Sequence, residues 1–365
     1  MCLQGLFLFA GCGPAAPSTA TPGASVKANS EVASAPAAED AAALKALEDV
    51  EAKVQRDAEG FIVDIDLRGT TATDATLIPL SALKRLRSLH LDELPITDVG
   101  VATIATYQGP LANLDLRGCT LTDAAMTSIA QLKSLRALRL SGDNNQTTIA
   151  DEGVSSLQNL TSLRVLAVDG LWVSTAGLQK LPSGIEELYL KSSLADDESM
   201  AVVAKFANLR KLRISKTQVS NTGLGHLTAC TRLEDLDLSE DSLIDNDGLV
   251  AVGKITSLKK LNLWRVAVND AGISHLAPLK NLEWLNLDNT QLTDGGLSVL
   301  KEMNALTFLH LGSTAVSDSG IPSLLHLKNL KDLKVTRTSV TENGVAELKK
   351  HLPQTEVQLK YKENL

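Results

Sequence analysis

The chain has 365 residues, of which 44% are apolar, 21% charged and only 3% aromatic, and its net charge is −8. That acidic balance argues against nucleic acid as a partner, because a nucleic-acid surface needs a basic stripe. Of the four cysteines, Cys2 and Cys12 sit in the first stretch, while Cys119 and Cys230 are far apart in the repeats described below, so the fold is not built on disulfides.

Residues 1–13 (MCLQGLFLFAGCG) contain an apolar run at residues 3–10. The run is too short to span a bilayer but suits the core of a secretory signal. Its end, Leu8-Phe9-Ala10-Gly11-Cys12, resembles a bacterial lipoprotein lipobox, which implies that Cys12 carries a lipid and becomes the mature N-terminus. The match departs from the pattern in two places: no lysine or arginine precedes the apolar run, and Phe9 stands where leucine is usual. A terminus with two incidental cysteines is the alternative. Residues 14–37 hold Pro, Ala, Ser and Thr and almost no large apolar side chain. Such a segment cannot offset its ordering entropy, and it is expected to be a flexible tether spanning on the order of 25–30 Å.

Residues 38–61 read as an N-terminal cap. Leu44, Leu47 and Val50 recur on one helical face, and a hairpin is expected to follow, with a turn at residues 57–60. Without a cap the first unit of an array leaves its apolar side wet.

Residues 62–353 are a repeat. Leu258, Leu282, Leu306 and Leu330 are 24 residues apart, and earlier units begin at Ile62, Leu86, Leu111, Leu135, Leu163, Ile185, Leu209 and Leu233, making twelve coils. A single unit of this length cannot bury its apolar face alone, so the period means a stacked solenoid. Within a coil, Leu285 and Leu287 alternate with Trp284, Asn286 and Asp288, which predicts a strand with one buried face. Thr293 and Asp294 then open a short helix carrying Leu297 and Leu300. Strands pack about 4.8 Å apart and helices 8–10 Å, so stacking both forces an arc with strands on the inner side. One coil is lengthened by residues 142–148 (GDNNQTT), read as a surface loop. Residues 354–365 supply a closing strand near residues 355–360 and a tail.

The recurring L-x-x-L-x-L-x-x-T-x-V-T-D-x-G-L pattern resembles the leucine-rich-repeat family, over about four-fifths of the chain. The T-D-x-G-L variant is similar both to a group of bacterial secreted proteins and to the repeats of F-box-type substrate receptors. The resemblance implies a curved α/β solenoid with parallel strands on the concave face, short helices on the convex face and macromolecule binding as its activity.

No catalytic motif is present: there is no P-loop, no dinucleotide fingerprint, no G-x-S-x-G and no paired-cysteine or H-E-x-x-H metal spacing. The aspartate row Asp74, Asp98, Asp123, Asp151, Asp197, Asp270, Asp294 and Asp318 is read as helix-start partners rather than a calcium site, which would need six or more converging oxygens. Cys119 takes a corner that Thr70, Thr217, Thr290, Thr314 and Thr338 fill elsewhere, and reads as a structural thiol. His226, His275, His326 and His351 fall in helical halves, and His90 faces out without an evident partner.

The outward strand positions are more telling. Early coils present Asp64, Asp66, Arg68, Asp92, Asp115, Arg117 and Arg139, expected to fix register with a partner. Later coils present Trp264, Trp284, Phe308 and His310 with Asn262 and Asn286 alongside, and Tyr189 and Arg213 lie nearer the middle. Aromatic anchors dominate binding hot spots, so these eight residues are the candidate site. A ladder of large side chains shielding the sheet is the alternative. The expectation is therefore a non-catalytic, monomeric protein without cofactor or metal, tethered to a bacterial envelope and binding a protein or a glycan through its sheet. The alternatives are a cytosolic adaptor of the substrate-receptor type and a purely structural scaffold.

Overall fold

The computed structural model describes residues 40–360; the leader, Cys12 and the tether lie outside the described residues. Asp40 opens helix α1 (Ala41–Asp49) by accepting from the backbone of Ala42 and Ala43 at 2.9 and 3.1 Å. This supplies acceptors for two of the N–H groups that a first helical turn leaves unpaired. The helix buries Ala43 and Leu47 against the first coils.

Among the described residues fourteen strands follow in a single open sheet whose spatial order is the chain order. They are β1 (Lys53–Arg56), β2 (Ile62–Asp66), β3 (Ser88–His90), β4 (Asn113–Asp115), β5 (Ala137–Ser141), β6 (Val165–Asp169) and β7 (Glu187–Tyr189), then β8 (Lys211–Arg213), β9 (Asp235–Asp237), β10 (Lys260–Asn262), β11 (Trp284–Asn286), β12 (Phe308–His310), β13 (Asp332–Lys334) and β14 (Glu356–Gln358). Strands β1 and β2 are antiparallel and every later pair is parallel. The hairpin turns on Asp57, whose Oδ1 accepts from the backbone of Glu59 and Phe61, and its outer strand is exposed along its length. It covers the edge of the first coil.

The parallel register places equivalent residues side by side. Leu261, Leu285, Leu309 and Leu333 are opposed in turn and wholly buried. Short helices return each coil along the other side. In two of the last coils they are 3₁₀ rather than α, at Asp294–Glu302 and Asp318–Leu324. The second contains Pro322, which has no N–H to give an α-helical bond.

From β2 to β13 each strand leads into a residue of positive φ, such as Gly118 (74°), Lys216 (57°) or Asn289 (57°). In several coils a corner threonine comes next, and its hydroxyl donates to the carbonyl three residues back: Thr217 to Ile214 at 2.7 Å, Thr290 to Leu287 at 2.8 Å and Thr314 to Leu311 at 2.6 Å. Cys119 occupies the same corner, buried, with its thiol donating to the Leu91 carbonyl at 3.4 Å.

The aspartate row acts differently from the local role read above. The Thr or Ser before Asp98, Asp123, Asp294 and Asp318 caps its own helix, as Thr97 does for Val99 N. The aspartate instead reaches the next coil. Asp74, Asp98, Asp151, Asp197, Asp270, Asp294 and Asp318 each accept from the following cap residue, at 2.7–2.9 Å from its N–H and 2.5–2.6 Å from its hydroxyl. Asp123 meets Ala150 and receives only the N–H, at 2.9 Å. These carboxylates form a zipper between coils, and two residues after each one the chain passes the zipper of the coil before it. A Cβ on Gly100, Gly223, Gly296 or Gly344 would lie 2.2–2.4 Å from the preceding aspartate's Oδ1. That close approach explains the spacing of D-x-G.

Candidate functional site

Three outward rows run across the sheet, because successive outward residues of one strand are two apart and the parallel register carries each row straight over. The first row passes through Lys260, Trp284, Phe308 and Asp332, and the second through Arg139, Ala167, Tyr189 and Arg213, and on through Asn262, Asn286, His310 and Lys334.

Trp284 and Phe308 are neighbours in the first row. Their rings stack with centroids 4.8 Å apart and planes 6° from parallel, a separation equal to the strand spacing. His310 stands two residues along from Phe308, its ring 6.4 Å away and edge-on at 78°. The Lys334 ammonium lies 5.2 Å from the Phe308 centroid, within cation–π range. Burial lowers the pKa of His310 against the raising effect of Asp288, so the ring is predominantly neutral at pH 7. All four side chains are half-buried.

Trp264 is not part of this cluster. The β10 residue opposite Trp284 is Lys260, and Trp264 lies four positions beyond it, roughly 13 Å along the strand direction. There it sits beside the Arg265 guanidinium, 5.5 Å from the ring centroid. Reading all outward positions as one patch merged three rows: Trp284 and Phe308 stand in the first, Asn262, Asn286 and His310 in the second and Trp264 in the third. Asn262 and Asn286 are adjacent in the middle row, but their amide oxygens accept from Trp264 N at 3.2 Å and Asp288 N at 2.9 Å. They finish their own strands.

Tyr189 and Arg213 are brought together, with the guanidinium 5.2 Å from the ring centroid. Both have internal partners. The Tyr189 hydroxyl donates to Glu187 at 2.8 Å, and burial, followed by this bond, raises its pKa. Arg213 pairs with the buried Asp169, which also accepts from Lys191 N at 2.8 Å.

The early charged positions other than Arg139 pair internally. Arg68 grips Asp66 through two 2.8 Å bonds, which hold that carboxyl down to about 2. Arg117 grips Asp115 at 2.9 and 2.6 Å. His90, read as lacking a partner, lies 3.5 Å from Asp64.

Two features went unread in the sequence. The inserted loop walls a cleft of about 710 Å³ lined by Asp92, Glu93, Arg117, Asp143, Asn144 and Gln146 among others. The remaining tryptophan, Trp172, is 68% exposed, with Leu194 of the next coil 53% exposed. It occupies a position that other coils fill with Thr120, Thr148, Gln218, Gln291 or Ser339, so the departure from the repeat was the available signal.

Cys119 and Cys230 are both buried, and burial pushes their thiols up to about 12 and about 11. Neither is suited to nucleophilic work. Among the described residues no group of three or more His, Cys, Asp or Glu side chains could hold a metal ion, and no helix is long and apolar enough to cross a membrane.

No protein-family model and no curated protein matches the sequence. Solved structures do match. An internalin of Listeria monocytogenes is 19% identical, covers 89% of this chain and 96% of its own, and has a TM-score of 0.63. Internalin C2 of the same organism is 23% identical over 51% of this chain and 75% of its own, with a TM-score of 0.44. A TDR receptor is 17% identical over 76% of this chain and 47% of its own, at a TM-score of 0.50. Identities this low speak to fold alone. The likeness to the first internalin, together with the 24-residue leucine period and the open sheet of chain-ordered strands, identifies the fold of the chain as a leucine-rich-repeat solenoid, with parallel strands on one face and short helices on the other.

Proposed function

We propose that this is a non-catalytic protein-binding solenoid whose partner docks on the outward face of the sheet, centred on Trp284, Phe308 and His310. The observation that carries the reading is the half-buried Trp284–Phe308 stack on that face. Two large rings held by each other lose little further entropy on binding, and such anchors supply most of the energy of protein interfaces. Protein is favoured over glycan because the rings turn faces toward each other and Lys334 sits over Phe308. Their remaining edges suit irregular side-chain packing better than flat stacking on a sugar. Trp264 with Arg265, and Tyr189 with Arg213, extend the same face.

The reading is tested by the double variant Trp284→Ala/Phe308→Ala, immobilised beside the wild type and exposed to the native host's proteins. Loss of a protein that the wild type retains supports it, and retention of the same set by both contradicts it.

The same proposal places the solenoid at a bacterial envelope, held by a lipid on Cys12 and spaced from the membrane by residues 14–37. Support comes from the Leu-Phe-Ala-Gly-Cys run at residues 8–12 and the Pro/Ala/Ser/Thr composition that follows it. The mass of the mature N-terminus tests this: a chain starting at a lipidated Cys12, lost in Cys12→Ala, is expected. A soluble form retaining Met1 would overturn it.

A further inference from the structure

Guanidinium groups along the sheet face are paired with carboxylates in a regular way. Arg68 holds Asp66 and Arg117 holds Asp115, each through two bonds, and Arg213 holds Asp169. Arg139 breaks the pattern. It stands in the middle row of β5, opposite Asp115 on one side and Ala167 on the other. Among the described residues its side chain makes neither an ion pair nor a hydrogen bond. Asp115 is already committed to Arg117. Glu187 feels the charge of Arg139, yet its oxygens are taken by the Tyr189 hydroxyl at 2.8 Å and the Lys211 ammonium at 2.9 Å.

The surroundings suit an incoming group. Ala137 on the same strand and Ala167 beside it are small, so no long side chain rises next to the guanidinium in those positions. Arg139 itself is half-buried. A guanidinium partly withdrawn from water and lacking an internal acid gains more from a bidentate carboxylate than one on open surface does.

We propose that Arg139 is a docking point for an aspartate or glutamate side chain of the protein partner, a specificity contact on the same face as the aromatic cluster. The proposal rests on the reading of the sheet as the docking surface. From β5 to β11 is six strand spacings, roughly 29 Å. A standard interface of about 800 Å² per partner is about that wide, so one partner can reach both Arg139 and Trp284.

The test is isothermal titration of the full chain with an acetylated, amidated tetraglutamate peptide, using wild type, Arg139→Ala, Arg139→Lys and Lys254→Ala, which removes an exposed lysine just past the helix at Gly248–Val252. The wild type is expected to bind. Arg139→Ala should weaken binding about tenfold or more, Arg139→Lys should fall between because it keeps the charge and loses the fork, and Lys254→Ala should bind as the wild type does. Sodium acetate at matched carboxylate concentration should not displace the peptide. No binding by the wild type, undiminished binding by Arg139→Ala, equal loss in Lys254→Ala, or full displacement by acetate would each overturn the proposal. Peptide binding lost only with Arg139, alongside a natural partner indifferent to Trp284→Ala, would sink the aromatic reading and leave this one standing.

Discussion

Gly320 is held to glycine by Asp294 of the coil before it: a Cβ there would lie 2.4 Å from Asp294 Oδ1, the oxygen that accepts from Ser317 N at 2.7 Å. The other oxygen accepts from the Ser317 hydroxyl at 2.5 Å. A larger side chain must break this inter-coil bond or push the coils apart. Gly320→Val should therefore cost about 2–3 kcal/mol in chemical unfolding. Gly320→Ala should cost less, since Ala125 occupies the same place one coil after Asp98 and the Thr122–Asp98 bonds survive there at 2.9 and 2.6 Å. Equal losses for alanine and valine would contradict the steric account.

The zipper also tolerates inversion. Where the first residue of the helix is Thr175 instead of aspartate, the next cap is Asp196 instead of Thr or Ser, and Thr175 Oγ1 donates to it at 2.9 Å. The glycine position then holds Ser199, whose hydroxyl also donates to Asp196 at 2.9 Å. Thr175→Asp alone sets two carboxylates together and should destabilise by about 1–3 kcal/mol. The triple change Thr175→Asp/Asp196→Ser/Ser199→Gly converts this joint to the majority form and should recover most of the loss. Additive costs for the three substitutions would show that the pairing is not the cause.

Asp241 fills the corner that Thr217 occupies in the coil before it and Val266 in the coil after. It is 1% exposed, with Oδ1 accepting from Thr217 N at 2.7 Å and Oδ2 unpartnered among the described residues. Burial, with the nearby Asp237 charge, pushes its carboxyl up to about 8. Between the unfolded pKa near 3.9 and about 8 the folded chain therefore binds more protons than the unfolded chain, and stability falls as pH rises. Asp241→Asn should match the wild type near pH 4 and exceed it by about 2 kcal/mol or more above pH 8. A difference independent of pH would refute the assignment.

The two cysteines of the repeats should be inert. With thiols at about 12 and about 11, little thiolate exists at pH 8. Iodoacetamide is expected to leave Cys119 and Cys230 unmodified in the folded chain and to alkylate both in urea, as read by peptide mass. Rapid labelling without denaturant would show that the corner opens.

The coils themselves were legible because every coil repeats the same burial pattern: the leucines that mark the period are those that stack at zero exposure, as Leu285 does between Leu261 and Leu309. The zipper was not legible, because its donor and acceptor, such as Ser317 and Asp294, lie in different coils. Each coil read alone offers the aspartate only its own helix. The candidate site was half legible. Alternation shows that Trp264, Trp284 and Phe308 point outward, but the row each occupies depends on its offset from the strand's register, which separates Trp264 from the other two. Nor does alternation show which charged residues pair internally, which is what sets Arg139 apart from Arg117.

The most direct test of the sheet as docking surface is titration calorimetry of wild type and Trp284→Ala against a protein retained by the immobilised wild-type chain. Removing one ring of the 4.8 Å stack should weaken binding by more than 1 kcal/mol, the usual size of a hot-spot loss, with thermal unfolding nearly unchanged. Identical affinity for the two proteins would contradict the account and leave the stacked rings as a shield for the sheet.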